Sequence, residues 1–381
     1  MQTINKLAIK KGKISKKRLD NLGITNAQFL SAASKRALEW PDVGNEWFVE
    51  FEPLKPLLGD LAYEVGVCRR DPSAIIKENG MYYVWYSKSI GATQGFAGDI
   101  ENDKVFPWDR CDIWYATSKD GWTWKEEGIA VKRGDSGSFD DRSVFTVEIM
   151  QHDGKYYLSY QTVKSPYTVR VKNQVGLAWS DSPNGPWHKL AEPILSPADN
   201  GVWTGEEDNR FKVEKKGDFD SHKVHDPCIL PYKGKFYLYY KGEQMGEQIT
   251  FGGRQIRHGV AIADNPLGPY EKSVYNPISN SGHEICVWPY NDGIASLITT
   301  DGPEKNTIQW SPDGINFEIV SSIQNAPHAI GLNRTVSSND SPVEILKWGL
   351  THIYNNDDYQ SIQRFSAYSK TSHTAIGEKA I

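Results

Sequence analysis

Two Asp-Pro dipeptides, Asp71-Pro72 and Asp226-Pro227, and one His-Glu dipeptide, His283-Glu284, stand at matching places in a pattern that recurs along the chain. Each opens a stretch of strand-forming residues, where an aspartate is ordinarily a turn residue. A shared Asp-Pro context at equivalent positions of two repeats makes coincidence a poor explanation. Proline fixes φ and cannot donate to a ladder, so each pair marks the mouth of a strand and leaves its carboxylate placed for chemistry. Carboxylates and an imidazole gathered in one pocket push each other's proton affinities apart, which is the condition for separate acid and base roles. Glu148 and His328 fall at comparable points of the pattern. Other chemistries have no support: the chain has no G-x-S-x-G elbow, no phosphate-binding G-x-x-x-x-G-K-[ST] loop and no H-E-x-x-H.

The elements that must position these groups are hairpins. Asp71 leads through Ile75-Ile76 to Asn79-Gly80 and then Tyr82-Tyr83-Val84-Trp85-Tyr86. Asn-Gly tolerates the positive φ of a tight hairpin turn. Related text follows at 142–160 around Asp153-Gly154, at 225–240 around Lys233-Gly234, and at 283–298 around Asp292-Gly293. Each hairpin precedes a second pair of strands, such as Asp112–Ser118 with its Asp120-Gly121-Trp122 turn. Four strands per repeat is the pattern of a propeller blade. A degenerate fifth repeat is assembled from 328–332, 349–354 and 363–368, and Trp47–Phe51 can supply a strand that closes the ring. The expected fold is all-β, a five-bladed β-propeller over 41–381. Its repeats exceed the usual ~40–50 residues per blade, so long loops at 91–110, 198–223 and 242–257 are expected to line a site. Trp108 and Trp203, in two of them, are expected to shape the pocket. Residues 1–40 read as a short N-terminal helical region, helix-turn-helix-like, with Phe29, Leu30, Ala33 and Ala37 on one face. That face must pack on the body or on another subunit.

Composition describes a globular protein of ordinary kind, 39% hydrophobic and 24% charged over 381 residues. The aromatic content, 13 Trp, 19 Tyr and 13 Phe, suits both sheets and sugar-binding clefts. Net charge is −5, yet the first 18 residues hold seven Lys or Arg and no acid, so the rest of the chain is more acidic still. An acidic body fits a neutral polar substrate and not nucleic acid. No apolar run reaches the roughly 20 residues that span a bilayer, and the start Met1-Gln2-Thr3-Ile4-Asn5-Lys6 lacks the apolar core of a signal peptide. No membrane contact and a cytoplasmic location are expected, or a periplasmic one if a presequence has been removed. Cys68, Cys111, Cys228 and Cys286 have no C-x-x-C spacing and are expected as buried free thiols. Asp71, Asp226, His225 and His328 could offer oxygen and imidazole ligands to a divalent cation in the channel, but no spacing identifies a metal and no cofactor is required.

Ser31-Ala32-Ala33-Ser34-Lys35-Arg36 fits an S-x-A-x-x-R motif. With Cys68-Arg69-Arg70-Asp71-Pro72-Ser73, Val224-His225-Asp226-Pro227 and Gly282-His283-Glu284-Ile285 it resembles glycoside hydrolase family 117, which contains α-1,3-(3,6-anhydro)-L-galactosidases, the neoagarobiose hydrolases. The resemblance runs through nearly the whole chain. It implies a propeller that dimerises through the exchanged N-terminal region, with Ser31, Ala33 and Arg36 at the interface. It implies Asp71 as general base, His283 as general acid and Asp226 as the partner that tunes or orients the acid. Glu284 would contact the sugar, and Thr146, Glu148, Gln161, His225 and Trp108 are placed with it in substrate binding. Other five-bladed glycosidases use a Glu acid, so at the His-Glu position Glu284 stays open as the acid. The implied activity is exo-acting, inverting release of 3,6-anhydro-L-galactose from neoagarobiose and neoagaro-oligosaccharides in agar degradation. The alternatives are a glycosidase acting on another algal sugar, or a non-catalytic carbohydrate-binding propeller.

Overall fold

The computed structural model describes residues 47, 49–247, 249–250, 253–335, 342–355 and 359–369. The helical region expected over 1–40, with Ser31, Ala33 and Arg36, lies outside them. Among the described residues the regular secondary structure is nearly all strand, the α-helix being the single turn Pro342–Leu346. No helix among them is long and apolar enough to cross a membrane.

The tight turns form as their residues require. Asn79 and Gly80 have φ of 49° and 80° and join Ile76–Glu78 to Met81–Ile90. Asp153-Gly154 and Lys233-Gly234 repeat that geometry, with φ of 48° and 73°, then 49° and 76°. In the next repeat the turn falls one residue earlier than expected, on Asn291 and Asp292 with φ of 44° and 58°, and Gly293 already begins a strand. The outer turns at Asp120 and Asp313 are built alike. In each, one carboxylate oxygen accepts from two backbone N–H groups, those of Trp122 and Thr123, and those of Ile315 and Asn316.

From these hairpins come antiparallel meanders in chain order. Val67–Arg70 and Ile76–Glu78 both pair with Met81–Ile90, followed by Asp112–Ser118 and Thr123–Val131. Ser143–His152, Lys155–Val163, Asn173–Ser180 and His188–Lys189 form the next. Lys223–Tyr232, Lys235–Glu243, Ile256–Ala263 and Glu271–Lys272 follow, then Val287–Tyr290 through Glu318–Ser322. The last sheet pairs Gly331–Leu332, Trp348–Tyr354 and Gln360–Ser369, and Val49–Phe51 completes it from the other end of the chain, the closing strand expected there. The last meander packs back on Val67–Arg70, so the sheets curl around an axis in propeller-like fashion.

Apolar clusters lie between successive meanders. Trp85, Ile113 and Val147 meet Leu158 in one, Leu177 meets Ile229 and Leu238 in another, and Val84 and Tyr86 meet Leu350 and Ile362 where the ends close. Aromatic bulk fits because small residues face it. Tyr160 lies opposite Gly176 and Tyr240 opposite Gly259, and a Cβ at either glycine would come within 2.4 or 2.6 Å of the ring. All four cysteines are buried free thiols.

Candidate active site

The inner strands do not run straight into the axis. In three of them the ladder breaks beside a non-glycine residue of positive φ: Asp71 at 47°, Thr146 at 46° and Asp226 at 50°, with Ala329 at 46° before the inner strand of the last sheet. A bulge of this kind re-aims one side chain out of the alternation. Asp71 therefore follows its strand Val67–Arg70 instead of opening one, and Thr146, not Glu148, is its counterpart in the second repeat.

A cavity of about 720 Å3 opens at this end of the axis, bordered by Thr146, Gln161, His225, Asp226, His283 and Glu284, with His328 and Trp108 also on its wall. It continues into a void of about 30 Å3 bordered by Asp71, Glu148, Asp226 and Glu284. The titratable groups expected to converge do so. The long loops line the cavity as expected: 91–110 supplies Phe106 and Trp108, 198–223 supplies Arg210, and Glu243 and Glu247 come from the third. Trp203 is not on the wall; it packs edge-on against His222 at 5.2 Å and beneath Arg170.

Asp71 is 3% exposed and held from several sides. Arg70 grips it with two prongs, Nε to Oδ2 at 2.6 Å and Nη2 to Oδ1 at 3.0 Å. Thr146 Oγ1 donates to Oδ2 at 2.9 Å, and His352 Nδ1 lies 3.1 Å from Oδ1. Burial by itself would raise its proton affinity, but the Arg70 charge and the His352 and Arg70 contacts overcome that and hold the carboxyl far below the usual range. Arg69, its neighbour in sequence, points the other way to Glu64 and Glu126, as strand alternation demands. Trp108 stacks on the Arg70 guanidinium at 4.8 Å and donates its Nε1–H to Tyr167 at 2.6 Å, so the aromatic wall braces the clamp.

Asp226 has the same dipeptide and different surroundings. Its Oδ2 lies 2.5 Å from Lys241 Nζ, both side chains being 5% exposed, and it borders the same small void as Glu284. Burial outweighs the lysine, and the Asp226 carboxyl is raised above its ordinary value. Glu284 is raised as well, by burial first and by the Asp226 charge next. His283 was expected to take its carboxylate partner from Asp226. The carboxylate at its ring is Asp301, with Nδ1 to Oδ2 at 2.6 Å, while Nε2 lies 3.7 Å from Glu284 Oε1. Gly282, at φ 122°, lets the backbone before His283 lie against His258, whose ring a Cβ there would meet at 2.0 Å.

Among the other expected substrate contacts, Gln161 Nε2 meets His225 Nδ1 at 3.2 Å. Glu148 accepts from the backbone of Ala74 and Ile149, and burial raises its carboxyl. Beside it Arg334 donates to the Ile149 carbonyl at 3.0 Å and reaches Cys228 and Val287, tying three inner strands at the axis. Among the described residues no group of three or more His, Cys, Asp or Glu side chains is arranged to hold a metal. Asp71 and Asp226 are already engaged by Arg70 and Lys241.

Sequence reasoning missed Lys241, Asp301 and His352. Lys241 did leave a sign, a lysine ending the apolar run Phe236–Tyr240. Asp301 and His352 left none, since their importance is only where they meet His283 and Asp71.

A clamped carboxylate and a carboxylate-backed imidazole thus stand around one opening, an arrangement able to do acid–base chemistry. Residues 65–207 match the model of glycosyl hydrolases family 43. No curated protein sequence matches the chain. Among solved structures, BT0996 in its RGII complex (14% identity, 84% of this chain and 92% of that one, TM-score 0.57) shares the fold. So does a GH43_1 enzyme from Xanthomonas citri complexed with xylose, at 14% identity over 82% of this chain and 89% of the other, TM-score 0.50. Zg3597, a family 117 glycoside hydrolase from the marine bacterium Zobellia galactanivorans, is 36% identical over 85% of this chain and 92% of its own, with a TM-score of 0.69. At that identity and coverage the likeness goes beyond the fold, and the chain belongs to glycoside hydrolase family 117.

Proposed function

We propose that this glycoside hydrolase is an exo-acting, inverting α-1,3-(3,6-anhydro)-L-galactosidase that releases the terminal anhydro sugar from neoagarobiose and short neoagaro-oligosaccharides. The observation that carries the reading is the division of labour around one cavity. A carboxylate held ionised by Arg70 faces its floor, and an imidazole with its own carboxylate, Asp301, stands on its wall. Inversion needs a base that activates water on one face of the sugar and an acid that protonates the leaving oxygen on the other. Asp71 takes the first role and His283 the second. The clamp on Asp71 guarantees the ionised form and lowers its proton affinity, a cost to base strength that fixed orientation offsets. The cavity volume is within the range that encloses a small ligand, which suits terminal cleavage.

The raised proton affinity of Glu284 supports a second assignment, Glu284 as the acid. The meanders are read as five blades, and the 1–40 segment as the dimerisation arm, with Ser31, Ala33 and Arg36 at the interface. A divalent cation plays no part in this reaction scheme. Incubation with neoagarobiose tests the function: release of 3,6-anhydro-L-galactose and galactose supports it, turnover only of other algal oligosaccharides moves the substrate, and binding without turnover leaves a lectin. His283→Gln inactive with Glu284→Gln active supports the His acid, and the reverse result makes Glu284 the acid.

A further inference from the structure

We propose that Lys241 is a positioning residue that keeps the proton shared by Asp226 and Glu284 on Glu284, leaving the His283 Nε2 proton for the substrate. The inference rests on His283 being the proton donor. Lys241 lies on Lys235–Glu243 between His225 and His258, its partners across the ladder on either side. Its ammonium is buried against Asp226 Oδ2 at 2.5 Å. In so dry a place the Coulomb attraction is far stronger than in water. Asp226 and Glu284 border the same void of about 30 Å3, close enough to compete for one proton, and two buried carboxyls so placed do not both ionise. The ammonium touches Asp226, so the negative charge belongs there and Glu284 donates the shared proton to it.

The groups that face this pair agree with that placement. Asp71 contributes a further negative charge, which disfavours ionising both carboxyls, while its own counter-ion Arg70 is engaged with it. His283 faces Glu284 from the preceding position in the chain. His258 stands against Lys241 and His283, and burial, together with those two neighbours, pushes it down to about 3, so it is neutral and offers no rival cation. His225 leans instead toward Gln161 and Glu243. The chemical consequence lies at His283. An ionised Glu284 at 3.7 Å would draw the Nε2–H into an ion pair, whereas a neutral Glu284 leaves it directed at a glycosidic oxygen.

Infrared difference spectroscopy on the intact protein tests the proton's location without any substrate. The wild-type minus Glu284→Gln spectrum at neutral pH is expected to show a protonated carboxyl band. That band moves when glutamate is carboxyl-labelled with heavy carbon and stays when aspartate is. A missing band, or one that moves with the aspartate label, overturns the proposal. Kinetics on neoagarobiose test the role of Lys241. In Lys241→Met the carboxyl pair holds protons to higher pH, so the acidic limb of kcat/KM rises by about one pH unit and kcat falls about tenfold. KM changes less than about threefold, and Lys241→Arg restores the limb. A Lys241→Met protein that melts like wild type with an unmoved limb overturns the proposal. If Lys241→Met fails to fold, the infrared outcome decides. If wild type does not cleave neoagarobiose, the substrate reading fails and the infrared outcome still judges the proton assignment.

Discussion

Asp71 and Asp226 each precede a proline, interrupt an inner strand and adopt φ near 50°. Around the first, a two-pronged arginine, a threonine hydroxyl and a histidine ring share two oxygens. Around the second stand one lysine and a second carboxyl. Both are buried, and burial is the largest influence on each, yet one carboxyl ends far below its ordinary proton affinity and the other above it. A shared dipeptide and a similar backbone turn thus yield opposite shifts in proton affinity, because the shift depends on which charged neighbours oppose burial. The Arg70 charge, helped by the His352 and Arg70 contacts, beats burial at Asp71; a single ammonium beside a second acid does not at Asp226.

Removing the first carboxylate should have the largest effect. Asp71→Asn is expected to lower kcat about 10²–10⁴-fold. It also leaves Arg70 as an unpaired buried charge, at a cost of about 3–5 kcal/mol read as a lower melting temperature of a protein still folded by circular dichroism. Retained turnover of the cleaved substrate would show that Asp71 is not the base.

Next comes the partner of the acid. Asp301→Asn removes the counter-charge at the His283 ring, so the alkaline limb of kcat should move to lower pH with kcat down about tenfold. If Asp226→Asn moved that limb and Asp301→Asn did not, the carboxylate that tunes the acid would be Asp226.

Arg70→Met converts the first environment toward the second. The Asp71 carboxyl, depressed in the fold, loses its principal counter-ion and rises, so the acidic limb of kcat/KM should shift to higher pH. The stability that this carboxylate contributes above its unfolded value of ~3.9 should shrink. A limb left where the Asp226 and Glu284 pair sets it, with stability in acid unchanged, would mean that Arg70 is not what holds Asp71 ionised.

The smallest change is expected at Glu284. Its carboxyl is raised in the fold, so the fold binds that proton more tightly than the unfolded chain does. Stability from this group is then complete at low pH and falls as pH climbs past the unfolded value of ~4.3. Glu284→Gln should melt at or slightly above the wild-type temperature at neutral pH, with the difference closing in acid. A clear loss of stability at neutral pH would mean that the ionised form is the favoured one.

Local chemistry made much of this molecule legible in its sequence. Asn79-Gly80, Asp153-Gly154 and Lys233-Gly234 declare their turns because few residues accept positive φ, and the Tyr- and Trp-rich runs between them announce strands. The Asp-Pro dipeptides marked where two inner strands break and the His-Glu dipeptide lies just ahead of a third, so Asp71, Asp226, His283 and Glu284 could be named as a group before any fold was in view. Their partners could not. Arg70 and Arg69 are adjacent and indistinguishable on paper, and strand alternation sends one to Asp71 and the other to Glu126. His352 reaches Asp71 across 281 positions of chain, and Asp301 and Lys241 come from strand ends whose neighbours depend on how the sheets curl. A residue's type and its turn are set by interactions within a few positions. Its charge state is set by whichever distant groups are packed beside it once water has gone, and only the closed fold decides which groups those are.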